Sequence, residues 1–208
     1  MKTMKLVATT MALLLMVCGP VLATVLTADS VTGTGTYNNI EYINDGEFPE
    51  EKTYWQINTT WWWTSYGTSS DVAFTFDYGS IYAIEDIVLS VDNNDTYRVE
   101  YSLDNTTWSD LFTIYPNYGE IPATPPGGMD TMSTVFGDAE YVSGIDFDTV
   151  TAQYLRISGE GSDYLYSIGE FQAHGSPVAP VPEPTTLALS AMGLLGMAGY
   201  LRKKALLK

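Results

Sequence analysis

Between residues 28 and 175 apolar side chains recur at every second position in short runs, and no stretch carries the spacing of a long helix. A period of two puts successive side chains on opposite faces of an extended strand. Val72, Phe74 and Phe76 alternate with Ala73, Thr75 and Asp77, and Ile87, Leu89 and Val91 alternate with Val88 and Ser90. Tyr97, Val99 and Tyr101 alternate with Arg98, Glu100 and Ser102, and Tyr154 to Ile157 and Tyr164 to Phe171 supply further strands. Turns rich in Gly, Asn, Asp and Pro separate the runs. This pattern predicts an all-β sandwich or barrel. Residues 115–130 hold four prolines and three glycines and read as a long loop.

Both ends differ from this middle. Lys2 and Lys5 precede an uncharged apolar stretch, Leu6 to Val17, that Gly19 and Pro20 break. Val21-Leu22-Ala23 then offers compact residues to a signal peptidase. A stretch of 12 residues is too short to cross a bilayer, which needs about 20. Residues 1–23 therefore read as a signal peptide, cleaved after Ala23. At the other end, Val181-Pro182-Glu183-Pro184 cannot lie inside a helix. Leu187 to Leu201 is apolar, and Arg202, Lys203, Lys204 and Lys208 follow. As a helix those 15 residues reach about 22 Å, short of a hydrocarbon core of about 30 Å. The basic tail marks the end that stays cytoplasmic.

Residues 24–176 are left as one domain, large enough for a real core. It holds three basic residues (Lys52, Arg98, Arg156) against 24 acidic ones, a net charge of −21. Such acidity disfavours nucleic acid and anionic lipid, which need clustered Lys and Arg. It can gather divalent cations. The single cysteine, Cys18, lies in the N-terminal apolar stretch, so the domain has no disulfide, zinc-thiolate or cysteine nucleophile.

The C-terminal segment 177–208, with Val181, Pro182, Glu183 and Pro184 ahead of an apolar helix and a basic tail, resembles a PEP-CTERM sorting domain. The resemblance implies an exosortase-type protease as partner, cleavage near the Pro-Glu-Pro, and a cell-surface or extracellular destination after a transient stay in the inner membrane. The membrane is then met only through the C-terminal helix.

The domain resembles the discoidin, or coagulation-factor C-type, fold among the galactose-binding-like jelly rolls. Four segments carry the likeness: Ile43-Asn44-Asp45-Gly46 with Trp55 after it; Tyr97 to Asp104 with Trp108 after it; Ala152 to Ile157; and Ile168-Gly169-Glu170-Phe171. The resemblance implies a structural calcium ion held by the Asp45 and Glu170 carboxylates and the Asn44 and Gly46 carbonyls. Calcium takes six to eight oxygens, which a turn with an inward Asp can supply.

Trp61, Trp62, Trp63 and Tyr66 form the densest aromatic patch and are the candidate ligand contacts. On a strand, Trp61 and Trp63 share one face and Trp62 takes the other. Flat aromatic faces suit sugar rings, whereas Trp55 and Trp108 read as core. Asp92-Asn93-Asn94-Asp95 reads as a tight turn, since Tyr97 stands where an EF-hand loop needs glycine. His174 is the only histidine and no nucleophile motif accompanies it, so no enzyme is expected. The expected function is a non-catalytic module that binds extracellular polysaccharide. The alternatives are a matrix protein without a small ligand and, more weakly, a glycoside hydrolase with two carboxylates about 5–10 Å apart.

Overall fold

The computed structural model describes residues 23–65, 71–122, 127–161 and 163–178. The chain divides into two units, 1–177 and 178–208, and the described residues belong to the first apart from Val178. The signal segment up to residue 22, Tyr66, Val181 to Pro184, the apolar run 187–201 and the basic tail lie outside the described residues. No helix among the described residues is long and apolar enough to cross a membrane.

Among the described residues nine strands run in chain order: β1 (Thr24–Leu26), β2 (Ser30–Gly33), β3 (Thr60–Trp63), β4 (Ala73–Asp92), β5 (Thr96–Ser102), β6 (Ser109–Ile114), β7 (Met129–Ser133), β8 (Val150–Gly161) and β9 (Leu165–Pro177). A 3-10 turn, Ile40–Tyr42, precedes β3. These strands all pair antiparallel. The alternating runs thus become half-buried strands, as their period dictates.

The 20-residue β4 organises the sandwich. Its first half, Ala73 to Asp77, lies between β2 and β8. Its second half, Val88 to Val91, lies between β7 and β9. The pairing register shifts between Asp77 and Tyr82, and Gly79 sits inside that break at φ 67. Such a φ is strained for a side-chain-bearing residue. One strand therefore passes from the layer β2–β4–β8–β5–β6 into the layer β7–β4–β9, to which β1 and β3 add on β9.

The core lies between these layers. Phe74, Phe76, Ile87, Leu89, Val91, Val99, Leu155, Ile157 and Phe171 are all fully buried. Phe76 and Phe171 stack with centroids 4.5 Å apart. Tyr97 on β5 crosses to β9, where its hydroxyl donates to the Ser167 carbonyl and accepts from the Ser167 N–H, each at 3.0 Å. A buried phenol that both donates and accepts satisfies its polar end while contributing its ring to the core. Met129 and Asp130, the last residues of the proline-rich stretch, belong to β7 instead of the loop, because they pair with Asp92 and Val91 on the edge of β4.

Candidate functional site

β3 is short, and three of its four residues are tryptophan. It pairs with β9 through Trp61 to Ser167, Trp62 to Tyr166 and Trp63 to Leu165. The alternation expected along it is found. Trp62 points inward and is fully buried, stacking on Tyr166 at 5.2 Å and meeting Phe74 edge-on at 5.4 Å. Trp62 is thus corrected from a candidate ligand contact to a core residue, because period two turns it away from its neighbours. Tyr66 lies outside the described residues.

Trp61 and Trp63 face outward and stack with centroids 5.4 Å apart and rings 20° from parallel. Trp63 keeps 59% of its surface exposed. Trp55 meets Trp61 edge-on at 5.5 Å, and Tyr54 follows Trp55 at 5.9 Å. Tyr54, Trp55, Trp61 and Trp63 therefore make one aromatic ladder along the domain surface. Trp55 is corrected from core to half-buried surface, since its loop lies over β3 and not between the layers. Tyr54 is not singled out by the sequence reading; its position one residue before Trp55 in an aromatic-dense stretch is the available signal. Trp108 is also half-buried, with the Arg156 guanidinium 4.1 Å over its ring. The same Arg156 pairs with Glu100 at 2.7 Å on the outer face of β5 and β8.

The loop that carries Tyr54 and Trp55 also bounds a cleft of about 540 Å³, lined by Tyr42, Asp45, Phe48, Pro49, Ile57 and Asn58 among others. Glu47 and Glu50 lie on its wall, so its charge is acidic.

Asp45 and Glu170 meet at one junction. The backbone N–H groups of Asp45 and Gly46 both donate to Glu170 Oε2, at 3.1 and 3.2 Å. Phe171 N–H donates to the Ile43 carbonyl at 2.9 Å, which ties the same loop to β9. Gly46 holds φ 88, the turn that aims both N–H groups at one oxygen. Glu170 is 1% exposed. Burial first, and then the charge of Asp45, raise its carboxyl to about 7 against the pull of these hydrogen bonds. Of the four donors expected for calcium, the Glu170 carboxylate is held on the Asp45 loop by backbone N–H groups, and the charge of Asp45 acts on it. The Asn44 carbonyl points away from Glu170, because in a trans peptide it lies opposite to the Asp45 N–H that faces that residue. The Gly46 carbonyl likewise lies opposite to the Glu47 N–H, which donates to Asp45 Oδ1 at 2.9 Å.

The Asp92 to Asp95 segment is the expected tight turn, with Asp95 N–H directed at the Asp92 carbonyl at 3.5 Å. Unexpectedly, Asp92 and Asp95 are buried, at 4% and 1% exposure. His174 lies within β9, opposite Val25 and Asp86.

Residues 180–204 match the model of the PEP-CTERM protein-sorting motif. That motif implies export and sorting to the surface. No curated protein matches the chain. Among solved structures, the CBM32 module of AlyQ in complex with 4,5-unsaturated mannuronic acid is 18% identical, with 72% of this chain and 97% of that one covered and a TM-score of 0.46. CBM32-1 from a family 31 glycoside hydrolase of Clostridium perfringens is 15% identical, with 72% and 96% covered and a TM-score of 0.45. A mutant of chitosan-binding module 1 from the chitosanase/glucanase of Paenibacillus sp. IK-5 is 21% identical, with 74% and 99% covered and a TM-score of 0.43.

Proposed function

We propose that this chain is an exported, surface-sorted, non-catalytic module that binds extracellular polysaccharide along the ladder Tyr54, Trp55, Trp61 and Trp63. The observation that carries the reading is Trp63, a tryptophan 59% exposed and stacked on a second one at the edge of the sandwich. Burying such a ring would favour folding, so leaving it in water suits a surface that meets an apolar face, here the face of a sugar ring. A matrix protein without a ligand would leave every tryptophan covered. The acidic surface repels uronate chains, so neutral or amino sugars are the preferred class. An array of neutral, amino and acidic glycans, run with calcium present, tests this. Binding to neutral or amino sugars that Trp63→Ala abolishes is expected. A blank array, or binding indifferent to Trp63→Ala, overturns the reading.

Sorting is the second part of the proposal. An exosortase-type protease would recognise Val181 to Pro184, and the helix 187–201 would hold the chain in the inner membrane only until cleavage.

Calcium at the Asp45–Glu170 junction is the third part, held by the two carboxylates without the Asn44 and Gly46 carbonyls. The ion would offset the charge that burial makes unfavourable on Glu170. A ligand that binds only the folded state raises its melting temperature. Calcium is therefore expected to raise it by several degrees over chelator, and Asp45→Asn to shrink that gain. Equal gains in both proteins would remove calcium from this junction.

A further inference from the structure

We propose a divalent-cation site of the calcium type on a different part of the domain, formed by Glu51, Glu120 and Glu140 around β7. One carboxylate oxygen from each lies within 4.8 Å of the others. The three come from separate connections: Glu51 ahead of β3, Glu120 between β6 and β7, and Glu140 between β7 and β8.

Backbone hydrogen bonds pin each of these segments to the same short strand. Lys52 N–H donates to the Met129 carbonyl at 2.9 Å, and Met129 N–H donates to the Thr53 carbonyl at 3.0 Å. Ser133 N–H donates to the Glu140 carbonyl at 2.7 Å, and Val142 N–H donates to the Ser133 carbonyl at 2.9 Å. Ile121 N–H donates to Asp130 Oδ2 at 3.0 Å, and Thr131 N–H donates to Glu51 Oε1 at 2.9 Å. The convergence of three like charges is thus built by the fold and is not a chance meeting of loose side chains.

A second observation points to a ligand. Asp130, on β7 among these segments, is fully buried, and its Oδ1 has no hydrogen-bond partner among the described residues. Its carboxylate lies against Gly119, the residue before Glu120. A Cβ at Gly119 would come within 2.6 Å of Asp130 Oδ2 and 2.7 Å of Oδ1, and Gly119 holds φ 81. Only glycine lets the chain pass so close and still present Glu120.

A buried oxygen without a partner and three converging carboxylates are what a hard cation with oxygen ligands requires. With neither histidine nor cysteine among them, softer metals have no preferred donor. The loops are irregular, which suits the flexible coordination of calcium better than the strict octahedron of magnesium.

Calorimetric titration of calcium into the purified exported protein tests the site, with the melting temperature read in parallel. Asp45→Asn is expected to leave one calcium-binding event intact, and Glu120→Gln with Glu140→Gln to abolish that event. Glu120 is exposed and Glu140 half-buried, so the double variant folds, and without calcium it melts above the parent because like-charge repulsion is relieved. The proposal is overturned if millimolar calcium gives no binding heat, if the double variant keeps every event, or if it melts below the parent in chelator. Failure of the polysaccharide reading would leave all these measurements unchanged.

Discussion

Trp62→Ala is expected to lower the melting temperature by about 6–20 °C, while Trp63→Ala, one position on, moves it by no more than about 1–2 °C. Trp62 is fully buried and packs on Tyr166, Phe74 and Tyr97, at 5.2, 5.4 and 6.4 Å between centroids. Removing a buried aromatic ring loses its transfer energy and leaves a cavity, together about 3–5 kcal/mol. A domain of this size converts each kcal/mol into about 2–4 °C. Trp63 stands 59% in solvent, so its loss opens no cavity. Thermal melts of the two variants check the stability half, and binding to the array hit checks the functional half. Similar melts would mean that β3 does not hold the register described here.

The second large effect is on pH. The melting temperature is expected to fall by at least about 5 °C as pH rises from 5 to 9. Burial first, and then the charge of Asp163, raise Asp92 to about 7 and Asp95 to about 9, from an ordinary 3.8. The charge of Asp92 adds to the effect on Asp95. Between the ordinary and the raised values the folded protein keeps protons that the unfolded chain has released. The contribution to stability is therefore complete below about pH 4 and is lost as pH rises through about 7 and about 9. Asp104 acts in the opposite sense, held low by the Thr107 and Thr106 N–H groups, but only in strong acid. Asp95→Asn keeps an oxygen for the Asp163 N–H, which Asp95 Oδ1 accepts at 3.3 Å, and removes the more strongly raised group. It is expected to flatten much of the pH slope. Melts of both proteins across that range decide the matter, and a parent that grows more stable toward pH 9 would refute the assignment.

The strands were legible because burial on one face imposes a period of two, and a period is a local property. Val72 to Phe76, Ile87 to Val91 and Tyr97 to Val99 took up the faces that their spacing demands. The split of Trp61 and Trp63 from Trp62 followed from the same rule. What failed were inferences about depth. Trp55 is an aromatic that rests on a surface strand and not inside the layers. Asp92 and Asp95 look like solvated turn residues, yet the segment around Asp163 closes over them. Depth depends on what packs above a residue, and that neighbour is distant in sequence.

The all-β class, the acidity that disfavours nucleic acid, and the address written in residues 180–204 are legible in the amino-acid order. These rest on composition, on periodicity and on a contiguous motif, all readable along one dimension. Folding in three dimensions sets which tryptophans meet solvent, how Glu170 clasps the Asp45 loop, and that Glu51, Glu120 and Glu140 converge. Each of these joins residues far apart in the chain. Their charges and rings meet because β3, β7 and β9 bring the connecting loops together, and local sequence holds no record of that pairing.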